Sequence, residues 1–171
     1  MKEYIFNPSW DEFFMRHVYL AATKSKDPRT KLGAVLVKDG MIISEGYNGF
    51  PRGVVDLFDR YDDREEKYKY VVHAEANSIL NAARNGISTK GSILYTNCIP
   101  CNECAKSIIQ AGVVEVVIHS RWPMGKVTGT DKWDEAAKIT STMFGECGIT
   151  IRTITNKLGI NGMVGGKIVK V

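Results

Sequence analysis

Residues 92–119 read SILYTNCIPCNECAKSIIQAGVVEVVIH, and this stretch decides the fold. Its two ends are rich in β-branched and aliphatic residues and predict strands over Ser92–Thr96 and Val113–His119. Between them, Cys101–Gln110 predicts a helix that ends at Gly112. Because two strands joined through a helix usually lie parallel in one sheet, the stretch predicts part of a sheet with helices packed on it.

The rest of the chain extends this alternating pattern. Downstream, the loop 121–130 is followed by a predicted helix over 131–144 and a strand over Ile149–Ile154. Upstream, the sequence predicts a helix from a cap at Ser9 to about Thr23, a hairpin of strands Leu32–Val37 and Met41–Glu45, and a helix over His73–Arg84. Residues 46–69 are charge-dense near their end and predict an exposed loop. The order of elements therefore predicts an α/β protein.

Composition narrows the classes of protein. The 171 residues carry a net charge of +4, which is too mild to require a polynucleotide partner and suits a small anionic ligand. The apolar runs are too short to cross a bilayer, and we expect no membrane partner. Four cysteines, two of them in a CxxC spacing, favour metal binding over disulfides and predict a cytoplasmic location.

The strongest functional signal joins two distant segments, His73-Ala74-Glu75 and Pro100-Cys101-Asn102-Glu103-Cys104. His73, Cys101 and Cys104 offer three zinc ligands near the starts of two predicted helices, and they leave a fourth position for water. Glu75 is the predicted proton carrier, because a carboxylate outside the ligand set can hydrogen-bond that water. The two segments therefore predict a catalytic Zn2+ site.

Cys98 leaves an alternative open. Its spacing from Cys101 and Cys104 allows a third thiolate, and a site with three cysteines and one histidine would be structural. However, Cys98 precedes the predicted helix, which places it poorly for the shared metal, and Glu75 would then have no role. We predict instead that Cys98 and Cys147 are small buried apolar side chains.

The chain to about Ile154 resembles the deoxycytidylate (dCMP) deaminases of the cytidine deaminase superfamily. The H-x-E and P-C-x-x-C motifs indicate the superfamily, and the segments SKDPRTKLGAV (residues 25–35) and GYNGFP (residues 46–51) indicate the dCMP deaminases. The resemblance implies a three-layer cytidine-deaminase-like fold with a mixed five-stranded sheet flanked by helices. It also implies a zinc-dependent deaminase domain over residues 1–155. The basic, glycine-containing tail over 156–171 is expected either to be frayed or to pair with a neighbouring subunit.

The same resemblance implies hydrolysis of dCMP to dUMP and ammonia, which supplies dUMP for thymidylate synthesis. Asn48 would hydrogen-bond the deoxyribose, and the backbone of Ala74 would face the base. Arg29 is the predicted phosphate ligand, because a guanidinium matches phosphate oxygens. Trp122 stands where the family tends to have a substrate-contacting tyrosine, and it can still stack on a base. From the residues alone, the alternatives are a turn residue at Asn48, a solvated Arg29 and a core or interface Trp122.

Many dCMP deaminases are hexamers regulated by nucleotides. The resemblance therefore implies a homo-hexamer that dCTP with Mg2+ activates and that dTTP inhibits. The candidate regulatory residues are Tyr47, Asn48, Gly49 and Arg84. For Arg84, a surface ion pair is the alternative.

Two other functions remain open. A polynucleotide deaminase acting on tRNA or single-stranded DNA would apply the same chemistry to an extruded base, but it would need a basic groove with aromatic platforms. A non-catalytic module would use zinc only for stability, and replacing Glu75 by Gln would then change nothing. The enzyme acting on a small nucleotide is the favoured prediction, and no stable nucleic-acid complex is expected.

Overall fold

The computed structural model describes residues 7–122 and 132–171. The helices are α1 (Trp10–Ala22), α2 (Phe58–Asp62), α3 (Arg64–Tyr70), α4 (Ala74–Arg84), α5 (Asn102–Gln110) and α6 (Lys132–Cys147). The strands are β1 (Gly33–Lys38), β2 (Met41–Tyr47), β3 (Ile93–Thr96), β4 (Glu115–His119), β5 (Thr150–Ile154), β6 (Asn161–Val164) and β7 (Lys167–Lys170). Apart from its first two residues, the predicted loop 121–130 lies outside the described residues.

The first five strands form one mixed sheet in the order β2-β1-β3-β4-β5. Strand β1 runs antiparallel to both β2 and β3, whereas β3, β4 and β5 run parallel. The parallel half contains the two crossovers through α5 and α6 that the sequence predicts. The prediction of a mixed five-stranded sheet flanked by helices is confirmed.

Alternate residues of each strand point to opposite faces of the sheet and fill two separate cores. Val35 and Val117 belong to a cluster with the buried face of α1. Their neighbours Leu36 and Val116 belong to a second cluster with residues of α4, α5 and α6. The protein therefore has three layers, and α4 and α5, which carry the predicted zinc ligands, share one face of the sheet.

Local sequence signals explain where the helices begin. Ser9 closes a capping box at α1, in which Glu12 N donates to Ser9 Oγ at 3.3 Å and Ser9 N donates to the Glu12 carboxylate at 2.9 Å. His73 and Cys101 are the N-cap residues of α4 and α5, so both helices begin one residue later than predicted. None of the helices in the described ranges is long and apolar enough to span a bilayer.

Two predictions about local structure are wrong, and one of the two alternatives for the tail is excluded. Residues 46–69 are not a continuous loop, because they contain α2 and α3. The tail is not frayed: β6 and β7 form an antiparallel hairpin, and Leu158 and Val171 are buried in the cluster beside α1. Cys147 is exposed at the end of α6. For the tail, packing against the cluster beside α1, which local sequence does not encode, decides the outcome.

Candidate active site

The starts of α4 and α5 bring the predicted metal ligands together. The side chain of His73 does not cap its own helix. Its Nδ1 instead lies 3.4 Å from the sulfur of Cys101 and 3.5 Å from the sulfur of Cys104. Since the N-terminus of a helix carries partial positive charge, both helix starts favour thiolate ligands and anions.

The spacing of these three atoms fits a zinc ion. The Nδ1 of His73 and the sulfurs of Cys101 and Cys104 all lie within 4.8 Å of one another. In a tetrahedral site with the usual zinc bond lengths, a nitrogen and a sulfur ligand lie about 3.6 Å apart. The two observed nitrogen–sulfur distances match that value. Within residues 7–122 and 132–171, no other group of histidine, cysteine or acidic side chains meets the same criterion.

Cys98 is not a member of this group, although it lines the adjoining pocket. Burial raises the pKa of the Cys98 thiol. By contrast, the hydrogen bond with Cys104 lowers the pKa of Cys101 to about 4, against the opposing effect of burial, and the hydrogen bond with His73 adds to the lowering. The ligand set of one histidine and two cysteines rests on geometry, because Cys101 and Cys104 lie against His73 Nδ1 and Cys98 is outside the group.

Glu75 lies in the first turn of α4 and is 5% exposed. Burial raises the pKa of its carboxyl group, opposed by the nearby His73. Its Oε2 atom is buried and has no hydrogen-bond partner among the described residues. A buried carboxylate oxygen without a protein partner, next to a metal-binding group, can accept a proton from a bound molecule and return it.

One pocket connects these residues to the rest of the predicted site. It is lined by His73, Glu75 and Cys101, and also by Asn48 and Asp134. The carboxamide of Asn48 is held firmly. Its Oδ1 accepts from Leu32 N at 2.8 Å, and its Nδ2 donates to Thr30 O at 2.9 Å. Asn48 thus ties together the loop before β1 and the end of β2, and its contact with deoxyribose stays a prediction.

Among the pocket residues that the sequence did not predict, Asp27 and Lys67 form a buried ion pair. Lys67 lies in the charge-dense segment predicted to be an exposed loop. It is nevertheless only 8% exposed and forms a salt bridge with Asp27. Asp27 also accepts hydrogen bonds from Arg29 N and Thr30 N, which shape the same loop. The position of Asp27 within the SKDP segment is the one sequence signal that could have indicated it. Lys67 resembles its charged neighbours in sequence, so nothing local marks it as buried.

The structure separates two predicted substrate residues from the pocket. Arg29 is exposed, donates through Nη2 to Asp62 O at 3.4 Å, and is not among the described residues that line the pocket. Trp122 is fully buried in the core beside α1, and its ring centroid lies 5.7 Å from that of Tyr19. Because an enclosed indole has no face left for a base, the predicted stacking role of Trp122 is corrected to a core role. Ala74 is buried at the start of α4, and the contact of its backbone with the base stays a prediction.

The predicted regulatory residues lie outside this pocket, except for Asn48. Tyr47 is 40% exposed at the end of β2, and its carbonyl accepts from Asn77 Nδ2 at 2.8 Å. Gly49 pairs with Val72 through two backbone hydrogen bonds of 2.8 and 3.1 Å. Arg84 is exposed in the last turn of α4. Their regulatory role stays a prediction.

Comparison with known proteins agrees with this geometry. The family model for the cytidine and deoxycytidylate deaminase zinc-binding region matches residues 8–120, which is more than half of the chain. The chain belongs to this family. As a member of this deaminase family it is an enzyme, and the prediction of the cytidine deaminase superfamily is confirmed.

Individual deaminases resemble the chain over most of its length. The deoxycytidylate deaminase of Mus musculus is 38% identical over 156 residues, which are 86% of this chain and 81% of the mouse protein. The probable deoxycytidylate deaminase of Drosophila melanogaster is 47% identical over 130 residues, which are 70% of this chain and 62% of the fly protein. The structure of dCMP deaminase from the cyanophage S-TIM5 in complex with dCMP and dUMP is 26% identical, with a TM-score of 0.65. The structural match covers 88% of this chain and 100% of the phage chain. The cytidine-deaminase-like fold is thereby confirmed.

Proposed function

We propose that this deaminase hydrolyses dCMP to dUMP and ammonia. The observation that carries the proposal is the placement of Glu75 in one pocket with the group formed by His73, Cys101 and Cys104. The similarity to deoxycytidylate deaminases, and the dCMP and dUMP bound in the phage structure, support the choice of substrate.

The chain's own residues account for the proton transfers. A zinc ion held by His73, Cys101 and Cys104 would supply a Lewis acid and a nucleophilic water at neutral pH. The Glu75 carboxylate accepts a proton from that water and delivers it to N3 of the cytosine ring, while the water oxygen bonds to C4. Glu75 then passes the second water proton to the amine on C4. The C4–N bond breaks, ammonia leaves and the uracil carbonyl remains.

The burial of Glu75 suits this role. A general acid–base group works best when its pKa lies near the working pH, and burial raises the pKa of a carboxyl group toward that range. The low exposure of Glu75 also keeps bulk water from competing for the same protons.

Ammonia release from four substrates tests the proposal: dCMP, deoxycytidine, CMP and a cytosine-containing single-stranded DNA. We expect turnover of dCMP, and Glu75→Gln should lower kcat by about 10²- to 10⁴-fold with the zinc content unchanged. Turnover of the single strand alone would instead favour a polynucleotide deaminase. Retention of full activity in Glu75→Gln would contradict the proposed role of Glu75.

We further propose that the enzyme is a homo-hexamer in the cytoplasm that supplies dUMP for thymidylate synthesis. The four free cysteines support a reducing compartment. Activation by dCTP with Mg2+ and inhibition by dTTP are part of the proposal, with Tyr47, Asn48, Gly49 and Arg84 as candidate regulatory residues. Repeating the dCMP assay with each nucleotide tests the regulation, and sedimentation velocity tests the hexamer. A monomer whose rate neither nucleotide changes would contradict both.

A further inference from the structure

The C-terminal hairpin β6–β7 contacts the loop that forms one wall of the pocket. Three hydrogen bonds join them: Gly166 N donates to Arg29 O at 2.7 Å, Gly165 N donates to Thr30 Oγ1 at 3.3 Å, and Lys31 N donates to Met163 O at 3.0 Å. Lys31 and Met163 also form an isolated antiparallel bridge. The hairpin thus holds three consecutive residues of the loop.

The loop in question reaches the site directly. Asp27, Thr30 and Leu32 line the pocket together with His73 and Glu75. The inner side of the loop is held by the side chains of Asn48 and Lys67, which bond to Thr30 O and to Asp27 Oδ2. The outer side of residues 29–31 is held by the hairpin. A shift of the hairpin therefore moves a wall of the pocket without touching the predicted zinc ligands.

The hairpin is itself anchored to the core on the other face of the sheet. A methyl group added at Gly162 would lie 2.4 Å from Cζ3 of Trp122, so the backbone of β6 packs directly on the indole ring. Val171, which follows β7, is fully buried in the same cluster. Trp122, predicted to touch the substrate, thus contributes to the pocket by supporting the hairpin.

We propose that the β6–β7 hairpin is a positioning element that holds residues 29–31 and so sets the affinity of the pocket for its nucleotide. The identity of that nucleotide rests on the proposed function. His73, Glu75 and Cys101 lie at the starts of α4 and α5, in the layer on the opposite face of the sheet from the hairpin. Loosening the hairpin therefore raises KM and leaves kcat and zinc content unchanged.

The chain offers a matched control for this test. Gly165 and Gly166 link β6 to β7 in a two-residue turn with φ values of +57° and +77°. Asp39 and Gly40 link β1 to β2 in a turn of the same kind, with φ values of +52° and +75°. The same substitution at Gly40 and at Gly166 therefore introduces the same backbone strain. Of these two glycines, Gly166 donates its N–H to the pocket loop at Arg29 O, whereas Gly40 lies in the β1–β2 turn and makes no such bond.

The experiment compares Gly166→Pro with Gly40→Pro, and the milder Gly166→Ala with Gly40→Ala. Proline removes the N–H and cannot adopt either φ, whereas alanine keeps the N–H and adds strain. For each variant we would measure kcat and KM for dCMP, bound zinc, the melting temperature and amide hydrogen exchange of residues 27–32.

For Gly166→Pro we expect KM for dCMP to rise by about five- to tenfold, as for the loss of one or two hydrogen bonds, and for Gly166→Ala, which keeps the N–H, we expect a smaller rise. We also expect kcat and bound zinc at the wild-type level, and faster exchange in residues 27–32. Equal KM values in the Gly166 and Gly40 variants, or a parallel fall in kcat and zinc, would overturn the proposal. If the wild-type protein does not turn over dCMP, the proposed function fails, and the exchange rates alone decide whether the hairpin holds the loop.

Discussion

Lys67 Nζ lies 2.9 Å from Asp27 Oδ2, and the two side chains are only 10% and 2% exposed. The pair joins α3 to the loop before β1 at the wall of the active-site pocket. Asp27 also accepts hydrogen bonds from two backbone N–H groups through Oδ1, so both oxygens of its carboxylate have partners. A segment whose many charges predict exposure to solvent thus contributes a buried ion pair.

We expect Lys67→Met to destabilise the protein by about 3 kcal/mol, because it leaves the Asp27 carboxylate buried without its partner cation. Urea denaturation measures the loss. Combining Lys67→Met with Asp27→Asn should cost less than the two single changes added together, since the double variant buries no unpaired charge.

The exposed pair between Lys69 and Glu66, at 2.7 Å on the same helix, is the control. Lys69→Met should leave stability nearly unchanged, because solvent screens an exposed ion pair. If Lys67→Met behaves like Lys69→Met, the buried pair has no structural role.

Substitutions of Cys98 and of Cys101 should have different effects on the zinc content of the protein. We expect Cys98→Ser to retain about one zinc ion per chain, because Cys98 lies outside the group of three ligands. Cys101→Ser should lose most of the zinc, since a hydroxyl replaces a thiolate. Metal analysis after dialysis against a weak chelator measures both. Equal loss of zinc in the two variants would instead favour a structural zinc site with three cysteine ligands.

Gly46 marks the closest approach of β2 to α4. A methyl group at this position would lie 2.3 Å from Ser78 N and 2.4 Å from Ala74 O, and backbone atoms cannot rotate away. We expect Gly46→Ala to destabilise the protein by about 1–3 kcal/mol and to weaken zinc binding, because it displaces the first turn of α4 beside His73. Thermal unfolding and zinc titration measure these effects.

Gly49 is the matched control for this substitution. A methyl group there would come no closer than 3.9 Å to any atom beyond its chain neighbours, so Gly49→Ala should leave stability almost unchanged. Similar losses of stability in both variants would show that the contact between β2 and α4 is not the cause.

Stability should fall in mild acid because of His119. This residue is 1% exposed, and its ring joins Tyr19 Oη at 2.8 Å to the carbonyl of Asn156 at 2.9 Å. Since a carbonyl can only accept, Nε2 carries the proton and Nδ1 accepts from Tyr19. Burial lowers the pKa of His119, opposed by the hydrogen bond to Asn156 and reinforced by the charge of Arg121.

A histidine with a lowered folded-state pKa binds protons more readily when the chain unfolds. Its contribution to stability is therefore complete above the unfolded pKa of about 6.5 and is lost as the pH falls below that value. We expect His119→Gln to be less stable at pH 7.5 and to lose less stability than wild type between pH 7.5 and 5.5. Urea denaturation across this range tests the difference, and parallel pH profiles would contradict it.

Local patterns in the sequence were sufficient for most of the fold. The capping box at Ser9 and Glu12 forms because its hydrogen bonds span only three residues. The CxxC motif likewise specifies its own geometry, since both thiols come from the first turn of one helix. For the same reason the strands and helices of the parallel half lie close to their predicted positions.

The burial of individual side chains and the contacts between distant residues could not be predicted from local sequence patterns. Lys67 is buried because Asp27, forty residues earlier, requires a cation, and nothing near Lys67 in the sequence records that requirement. Trp122 faces the core because β6 packs on its ring. The prediction of a buried Cys147 rests on residue type alone, and the structure places this residue in the solvent.

By itself, the sequence indicated the chemistry: the predicted zinc ligands His73, Cys101 and Cys104, the predicted proton carrier Glu75, and the alternating α/β order of the elements that carry them. Each of these depends on residue type and short-range spacing, which a chain carries along its length. Only the tertiary structure decided the shape of the pocket, the pairing of Lys67 with Asp27 and the placement of the hairpin against residues 29–31. These depend on which distant surfaces exclude water together, and that is settled only when the layers pack.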